Sequence, residues 1–246
     1  MSGGVGSPAV ANSHARRLKL SIVIPVYNEE STLATLVARV LATPYEKELI
    51  VVDDASTDGS RAVMDDLARR HPELRVLRHE ENRGKGAALA TGLRGFTGDV
   101  VLIQDADLEY DPADYPALLK PIEEGYADVV YGSRFLGGPY VRVHMFWHYV
   151  GNRLLTLISN CFTNLNLTDM ETCYKVFKRE FAQRLDIRSK SFAVEPEITA
   201  KVAKLRARVY EVPITYAGRD YDEGKKIGPK DAFIALFAIV RWALFP

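Results

Sequence analysis

The amino-acid sequence predicts an α/β fold, built on a mostly parallel sheet with helices on both faces. Three observations support this prediction. Short apolar runs rich in β-branched residues alternate with helical patterns up to about residue 135. The runs are continuously apolar, which is typical of parallel strands buried on both faces. The chain has 246 residues, enough for one large domain with a sizeable core.

The elements can be placed in order along the chain. The predicted strands span residues 20–26, 49–54, 74–79, 99–107, 127–135 and 208–214. The predicted helices begin near Ser31, Ser60, Lys85 and Pro112, and two more cover residues 143–167 and 195–206. Ser31 is expected to cap the first helix, and Pro112 suits the first turn of the fourth. Beyond residue 140 the regular alternation of strands and helices breaks down.

The two ends of the chain differ from the domain between them. Residues 1–17 are small and polar without an apolar run, which predicts a disordered tail and no secretory signal. Residues 18–230 form the predicted domain. Residues 231–246 are apolar except for two charged positions, and are too short to span a bilayer. They are either a final core helix or a helix lying in a membrane surface, with Arg241 and Trp242 at the headgroup level.

Composition excludes several classes of protein. Lys+Arg and Asp+Glu both count 32, and this balance argues against a nucleic-acid binder. The hydrophobic fraction of 47% excludes a disordered or collagenous chain. Cys161 and Cys173 have no metal-site spacing and are expected to be reduced thiols. We therefore expect a cytoplasmic protein, peripheral to the cytosolic face of a membrane if its last helix lies in one.

Polar side chains gather where the predicted strands end, which is where open α/β sheets bind ligands. Asp105, Asp107 and Glu109 follow the apolar run VVLIQ, and strand spacing would point these carboxylates the same way. Three like charges at close range repel one another unless a cation lies among them. Hard divalent ions prefer oxygen ligands, so the pattern predicts a site for Mg²⁺ or Mn²⁺.

Several motifs occur in a recognisable order: SIVIPVYNEE, VVDDASTDGS, NRGKGAAL, QDADLEYDP and GSRF. In this order and spacing they resemble the inverting family 2 glycosyltransferases, which have a GT-A fold. The resemblance continues through TDMETCYKVF, FAVEPEIT, EVPITYAGR and GKKIG, and covers roughly residues 18–235. These later motifs are similar to the polyprenyl-phosphate sugar transferases, the branch typified by dolichyl-phosphate mannosyltransferase.

The resemblance implies roles for particular residues. The nucleotide-sugar donor would be bound by Pro25, Tyr27, Glu29, Val52, Asp54, Lys85, Asp105, Ala106, Arg219, Lys225 and Lys226. Asp105 and Asp107 would hold the metal, with Glu109 as a third contact where relatives often carry Gln. Asp107, Arg134 and Asp169 would be the catalytic residues, and Arg142 would bind the phosphate of the acceptor.

The implied reaction moves a hexose, mannose or glucose, from a GDP- or UDP-sugar to polyprenyl phosphate at a membrane surface. A membrane-anchoring partner protein is possible, and no nucleic acid is expected. Two alternatives stay open. No Ser follows Arg142 closely, as it does in most lipid-phosphate transferases, and this favours a saccharide acceptor. The third hypothesis is a nucleotide-sugar-binding module without catalysis.

Overall fold

A computed structural model describes residues 18–137, 143, 145–191, 193–218 and 229–245. Its centre is a seven-stranded sheet with the order β3-β2-β1-β4-β6-β5-β7. The strands are β1 (Leu20–Val26), β2 (Lys47–Asp53), β3 (Leu74–Arg78), β4 (Val100–Ile103), β5 (Val129–Ser133), β6 (Lys175–Lys178) and β7 (Val209–Pro213). Every neighbouring pair is parallel except the two that involve β6. The predicted α/β class, with a mostly parallel sheet, is confirmed.

Helices follow most of the strands, as the alternating pattern predicts. They are α1 (Leu33–Ala42), α2 (Ser60–Arg70), α3 (Lys85–Gly92), α4 (Tyr115–Glu123), α5 (Phe146–Thr163), α6 (Arg179–Ala182), α7 (Val194–Lys204) and α8 (Pro229–Leu244). A 3₁₀ turn at Pro112–Asp114 precedes α4, with the Asp111 side chain accepting from the Ala113 amide. α1 begins at Leu33 and not at a Ser31 cap, and the Thr32 hydroxyl instead donates to Glu29.

The core lies on both faces of the three central parallel strands. Ile22 of β1, Ile50 of β2 and Leu102 of β4 have no exposed surface, like most apolar residues around them. Complete burial of each such side chain stabilises the fold by about 1.5–3 kcal/mol. This packing holds the strand ends in position, and the polar loops that follow them depend on it.

β6 is the strand that sequence reasoning missed. It has four residues and runs antiparallel between β4 and β5. The connection from β5 contains α5 and then residues 164–174, so β6 does not follow a helix directly as the second strand of a compact βαβ unit does. Because β6 runs in the opposite direction, its first residues lie beside the last residues of β4 and β5. The segment before Lys175 is therefore brought to the edge of the sheet where ligands bind.

β4 is shorter than the sequence predicts. It ends at Ile103, and the chain turns through Leu108, whose φ is 62°. Asp105, Asp107 and Glu109 therefore all follow the end of the strand, and a left-handed residue separates the last two. The expectation that strand spacing points these three carboxylates the same way is wrong.

The C-terminal helix α8 packs against α5 and α7, as the core-helix alternative predicts, and its position in a membrane surface stays a prediction. Ala238, Ile239 and Trp242 are buried, and the indole nitrogen of Trp242 donates to the Ser189 hydroxyl at 3.1 Å. Trp242 is therefore not at a headgroup level. The other side of α8 is exposed, and Phe237 keeps 73% of its surface accessible. Among the described helices none is long and apolar enough to cross a membrane.

Candidate active site

The candidate site lies at the carboxyl ends of β1, β2, β4 and β5. Parallel strands bring these ends to one edge, where open α/β sheets bind ligands. Pro25 of β1 is paired with Val52 of β2, so the segments after both strands run side by side. Tyr27 is exposed there, and Asn28 has a φ of 57° that turns the chain away from the sheet. The structure thus brings Pro25, Tyr27 and Val52 together, and their contacts with a nucleotide stay predictions.

Glu29 and Asp54 already bind protein groups in this region. Glu29 accepts a hydrogen bond from the Thr32 hydroxyl at 2.8 Å, at the start of α1. Asp54 is almost completely buried and accepts from the amides of Arg83 and Gly84 at 2.9 and 2.7 Å. His79, which sequence reasoning missed, lies 2.7 Å from the same carboxylate. Asp54 organises the loop before α3, and its predicted contact with base or ribose stays a prediction.

Gly84, just before α3, and Gly86, in its first turn, both lie very close to the backbone of another segment. A Cβ at Gly84 would lie 1.9 Å from the Lys190 carbonyl oxygen, and one at Gly86 equally close to that of Ser189. Gly84 also has a φ of 87°, which L-residues rarely adopt. This packing sets the start of α3, so that the first side chain of the helix, Lys85, points into the site.

Lys85 joins the acidic loop to helix α7. Its ammonium nitrogen lies 2.9 Å from Asp105 and 3.3 Å from Glu195. Burial lowers the pKa of Lys85, but the neighbouring carboxylates, Asp105 first, raise it well above its ordinary value. Glu195 also accepts from Lys175, which is completely buried at the start of β6. Asp105, Lys85, Glu195 and Lys175 thus form a chain of alternating charge across the site.

Glu195 and Lys175 were missed as site residues, although both lie in motifs that carry the family resemblance. A signal was present in the sequence. Glu195 lies in the first turn of α7, and Lys175 follows TDMETCY directly. The sequence does not reveal that β6 runs antiparallel to its neighbours. This direction places Lys175 opposite Tyr131 of β5. The Lys175 ammonium nitrogen lies 5.0 Å from the centre of that ring.

The acidic loop offers oxygen ligands without forming a closed metal site. The Asp107 carboxylate accepts from the Glu109 amide at 3.1 Å, and Glu109 accepts from the Tyr216 hydroxyl at 2.7 Å. Within the described residues, no three His, Cys, Asp or Glu side chains come together as a metal centre. Mg²⁺ bound through substrate phosphates needs only one or two carboxylates, so Asp105 and Asp107 fit such an ion. The Glu109 carboxylate, predicted as the third contact of the metal, is hydrogen-bonded to the Tyr216 hydroxyl.

Arg134 and Asp169 form a buried ion pair at the end of β5. Two guanidinium nitrogens of Arg134 donate to the two oxygens of Asp169 at 2.7 and 2.8 Å, and its amide donates at 3.1 Å. Burial lowers the pKa of Arg134, but the charge of Asp169 outweighs it and raises that pKa well above its usual range. The guanidinium also lies over the ring of Tyr216 at 5.1 Å. The structure therefore brings two of the three predicted catalytic residues into direct contact.

Ala106 is buried between Asp105 and Asp107 in the acidic loop. Four predicted site residues lie outside the described residues, namely Arg142, Arg219, Lys225 and Lys226. The predicted tail of residues 1–17 lies outside them as well. Cys161 and Cys173 are free thiols, as the sequence predicts.

The fold is that of the GT-A class of glycosyltransferases. Residues 21–186 match the glycosyl transferase family 2, and the chain belongs to this family. It is similar over nearly its whole length to an undecaprenyl-phosphate mannosyltransferase from Micrococcus luteus, with 31% identity, covering 92% of this chain and 95% of the relative. A polyprenol monophosphomannose synthase from Mycolicibacterium smegmatis is 29% identical, over 96% and 90% of the two chains.

Solved structures show the same fold. Glucosyl-3-phosphoglycerate synthase from Mycobacterium tuberculosis, in complex with Mn²⁺ and UDP, superposes with a TM-score of 0.69 over 93% of this chain and 81% of that one, at 18% identity. A mannosyltransferase from Pyrobaculum calidifontis, in complex with GDP-mannose and Mn²⁺, has a TM-score of 0.59 at 26% identity. That match covers 80% of this chain and 55% of the other.

Proposed function

We propose that this protein is an inverting glycosyltransferase that moves a hexose from a nucleotide diphosphate sugar to polyprenyl phosphate. The observation that carries the proposal is the position of the Arg134–Asp169 pair directly beside α5. Thr156 of α5 accepts from the Met170 amide at 3.1 Å, and Arg153 donates to the Thr168 carbonyl at 3.4 Å. A charged site is thereby separated from an exposed apolar surface by one helix. A lipid phosphate combines these two chemistries in one molecule.

The donor is expected on the β1, β2 and β4 side of the site. Mannose from GDP-mannose is the first candidate, because both curated relatives are named for mannose transfer and the Pyrobaculum enzyme holds GDP-mannose. The choice between GDP and UDP, and between Mg²⁺ and Mn²⁺, belongs to this proposal. Asp105 and Asp107 would hold the metal, which when bound supplies positive charge to the diphosphate.

The transfer needs positioning more than proton removal. A phosphate oxygen of the acceptor attacks the anomeric carbon, and the bond from that carbon to the diphosphate oxygen breaks with its electron pair. The nucleoside diphosphate leaves, and the configuration at the anomeric carbon inverts. A phosphate monoester is already ionised at pH 7, so this nucleophile requires no general base. The cations Lys85 and Arg134 stabilise the anionic groups on the two sides of the reacting bond.

The exposed sides of α5 and α8 form an apolar face suited to a bilayer surface. The two helices pack side by side, and this α5–α8 apolar face includes Phe146, Trp147, Leu154, Leu157, Phe233 and Phe237. Exposed aromatic and Leu side chains with a nearby Arg153 are typical of helices that lie in a membrane interface. The occupant we propose is a bilayer containing anionic lipid, which would present the acceptor phosphate beside the site. Which side of a membrane this is, and whether a partner protein anchors the chain, stay predictions.

We expect the double substitution Trp147→Ser with Phe237→Ser to weaken binding to anionic vesicles at least tenfold. Both side chains are more than 70% exposed, so their loss leaves the core intact but removes apolar area from the interface. Co-sedimentation with vesicles of phosphatidylglycerol and phosphatidylcholine measures the effect. Tyr126→Ser is the matched control, because Tyr126 is an exposed aromatic residue outside this face, stacked on Tyr210. Equal loss of binding in both proteins would contradict the assignment of the face.

The proposed reaction is tested by transfer of labelled hexose from GDP-mannose, and from UDP-glucose, to a short polyprenyl phosphate. We expect butanol-extractable product from one donor in Mn²⁺ or Mg²⁺ and none in EDTA. Metal-dependent donor hydrolysis without lipid product would move the acceptor to the saccharide alternative. Tight donor binding without turnover on either class of acceptor would support the non-catalytic alternative.

A further inference from the structure

One glutamate of the site has no role in the scheme above. Glu171 lies in the loop between Asp169 and β6, at the edge where β4 and β5 end. Its Oε1 is buried and has no hydrogen-bond partner among the described residues. The hydroxyl of the next residue, Thr172, is also buried without a partner. The residue as a whole is only partly buried. Buried polar atoms normally find partners, and these two neighbours do not.

The charged groups around Glu171 are already paired with one another. Arg134 is held by both oxygens of Asp169, and Lys175 is held by Glu195. Two cations therefore face two anions, and neither cation is left to neutralise a third carboxylate. If Glu171 were ionised, its negative charge would have no free cation to offset it, and its own buried Oε1 would have no hydrogen-bond donor.

The pKa of Glu171 agrees with this arrangement. Burial raises it to about 7, and repulsion from Glu195 adds to the effect of burial. Attraction from Lys175 and Arg134 opposes the rise without cancelling it. Near pH 7 the group is therefore divided between its uncharged and its ionised form, and small changes in pH shift that balance.

We propose that Glu171 binds the acceptor phosphate in its uncharged form, donating its carboxyl proton in a hydrogen bond to a phosphate oxygen. This inference rests on the proposed function and names a further acceptor-binding residue within it. A phosphate entering beside the Arg134–Asp169 and Lys175–Glu195 pairs meets cations that are already held by carboxylates. A third carboxylate would repel it, whereas a carboxylic acid supplies the donor that the phosphate needs. Binding of the anion would in turn hold the proton on Glu171.

If Glu171 must carry its proton, the KM for the acceptor should depend on pH and the KM for the donor should not. In the wild-type protein we expect the KM for polyprenyl phosphate to rise about tenfold between pH 6.5 and pH 8.5, as Glu171 loses its proton. The KM for the nucleotide sugar should change far less. In Glu171→Gln the side chain stays uncharged and keeps an N–H donor. The acceptor KM of this variant at pH 6.5 should lie within threefold of the wild-type value. Between pH 6.5 and pH 8.5 it should rise far less than the KM of the wild-type protein.

The titration of the lipid phosphate itself is common to both proteins, so the difference between their profiles reports on Glu171. Glu171→Ala removes the donor and should raise the acceptor KM about tenfold at pH 6.5. Glu48→Gln is the matched control, because Glu48 lies at the opposite edge of the sheet and both the Ser21 hydroxyl and the Thr97 amide donate to it. It should keep the wild-type profile. Thermal unfolding of each variant shows whether the fold is retained.

Three results would overturn the inference. A folded Glu171→Gln that loses transfer a hundredfold at every pH would make Glu171 a general base, as a hydroxyl acceptor requires. Identical pH profiles for wild type and Glu171→Gln would leave it a purely structural residue. Absence of transfer to polyprenyl phosphate by the wild-type protein at every pH would overturn the proposed function, and this inference with it.

Discussion

Asp107→Asn is expected to lower transfer at least a hundredfold while leaving the fold intact. The amide keeps the oxygen that accepts from the Glu109 backbone N–H, so the turn after β4 survives. It removes the negative charge that would hold the metal against the donor diphosphate. Loss of one strong electrostatic contact in a transition state costs about 2.7–4 kcal/mol, which is a hundredfold or more in rate. Transfer with saturating donor and Mn²⁺, together with thermal unfolding, measures both effects.

Asp111→Asn is the matched control for that prediction. Asp111 lies four residues further along the same loop and accepts from the amide two residues on, as Asp107 does. It has no predicted role in the site, so its substitution should change transfer less than threefold. A folded Asp107→Asn protein that keeps wild-type turnover in Mn²⁺, and loses it in EDTA, would show that the metal is held elsewhere.

Asp169→Asn is expected to destabilise the protein by about 3–5 kcal/mol, because it leaves the Arg134 guanidinium buried without its counter-charge. The Arg134 side chain is 12% exposed and Asp169 is wholly buried, so water cannot replace the lost partner. Transfer should fall as well, since Arg134 would no longer be held in the position from which it faces the acceptor. Urea unfolding and transfer at a temperature where the variant is folded separate the two losses.

The opposite end of β5 supplies a control with nearly the same geometry. Arg208 donates to Asp128 through its amide and two guanidinium nitrogens, at 3.1, 3.0 and 2.7 Å. The Arg208 side chain, however, is 55% exposed. Lys178, whose side chain is 25% exposed, also donates to Asp128 at 2.8 Å. Because water can solvate both released cations, Asp128→Asn should cost less stability than Asp169→Asn and should leave transfer unchanged. Similar losses of stability in the two variants would show that burial of the pair is not what makes Asp169 important.

Much of the fold could be predicted because local patterns and packing agree. The strands at residues 20–26, 74–79 and 208–214 appear within about two residues of their predicted bounds, since the sheet buries or pairs each of these segments. Helical spacing in α1 likewise matches the residues it buries, such as Leu36 and Val40. The positions of Pro25, Lys85, Asp105 and Arg134 at one edge also follow from sequence, because the carboxyl ends of parallel strands meet there.

The partners within that edge could not be predicted, because they depend on contacts between residues far apart in the chain. Arg134 and Asp169 are 35 positions apart, and Lys85 and Glu195 are 110 apart. Their meeting depends on the reversed direction of β6, a strand too short for its own residues to reveal. The early end of β4 at Ile103 likewise leaves outside the strand three carboxylates that strand periodicity would have aligned.

Periodicity and short motifs in order are enough to establish the α/β class, the family and the edge of the sheet that carries the chemistry. Three features depend instead on tertiary packing: which side of α8 faces the core, which carboxylates are paired, and that the Glu171 carboxyl is left without a cation. Burial and pairing set the charge of such a group, and both are properties of the packed protein that no stretch of its chain contains.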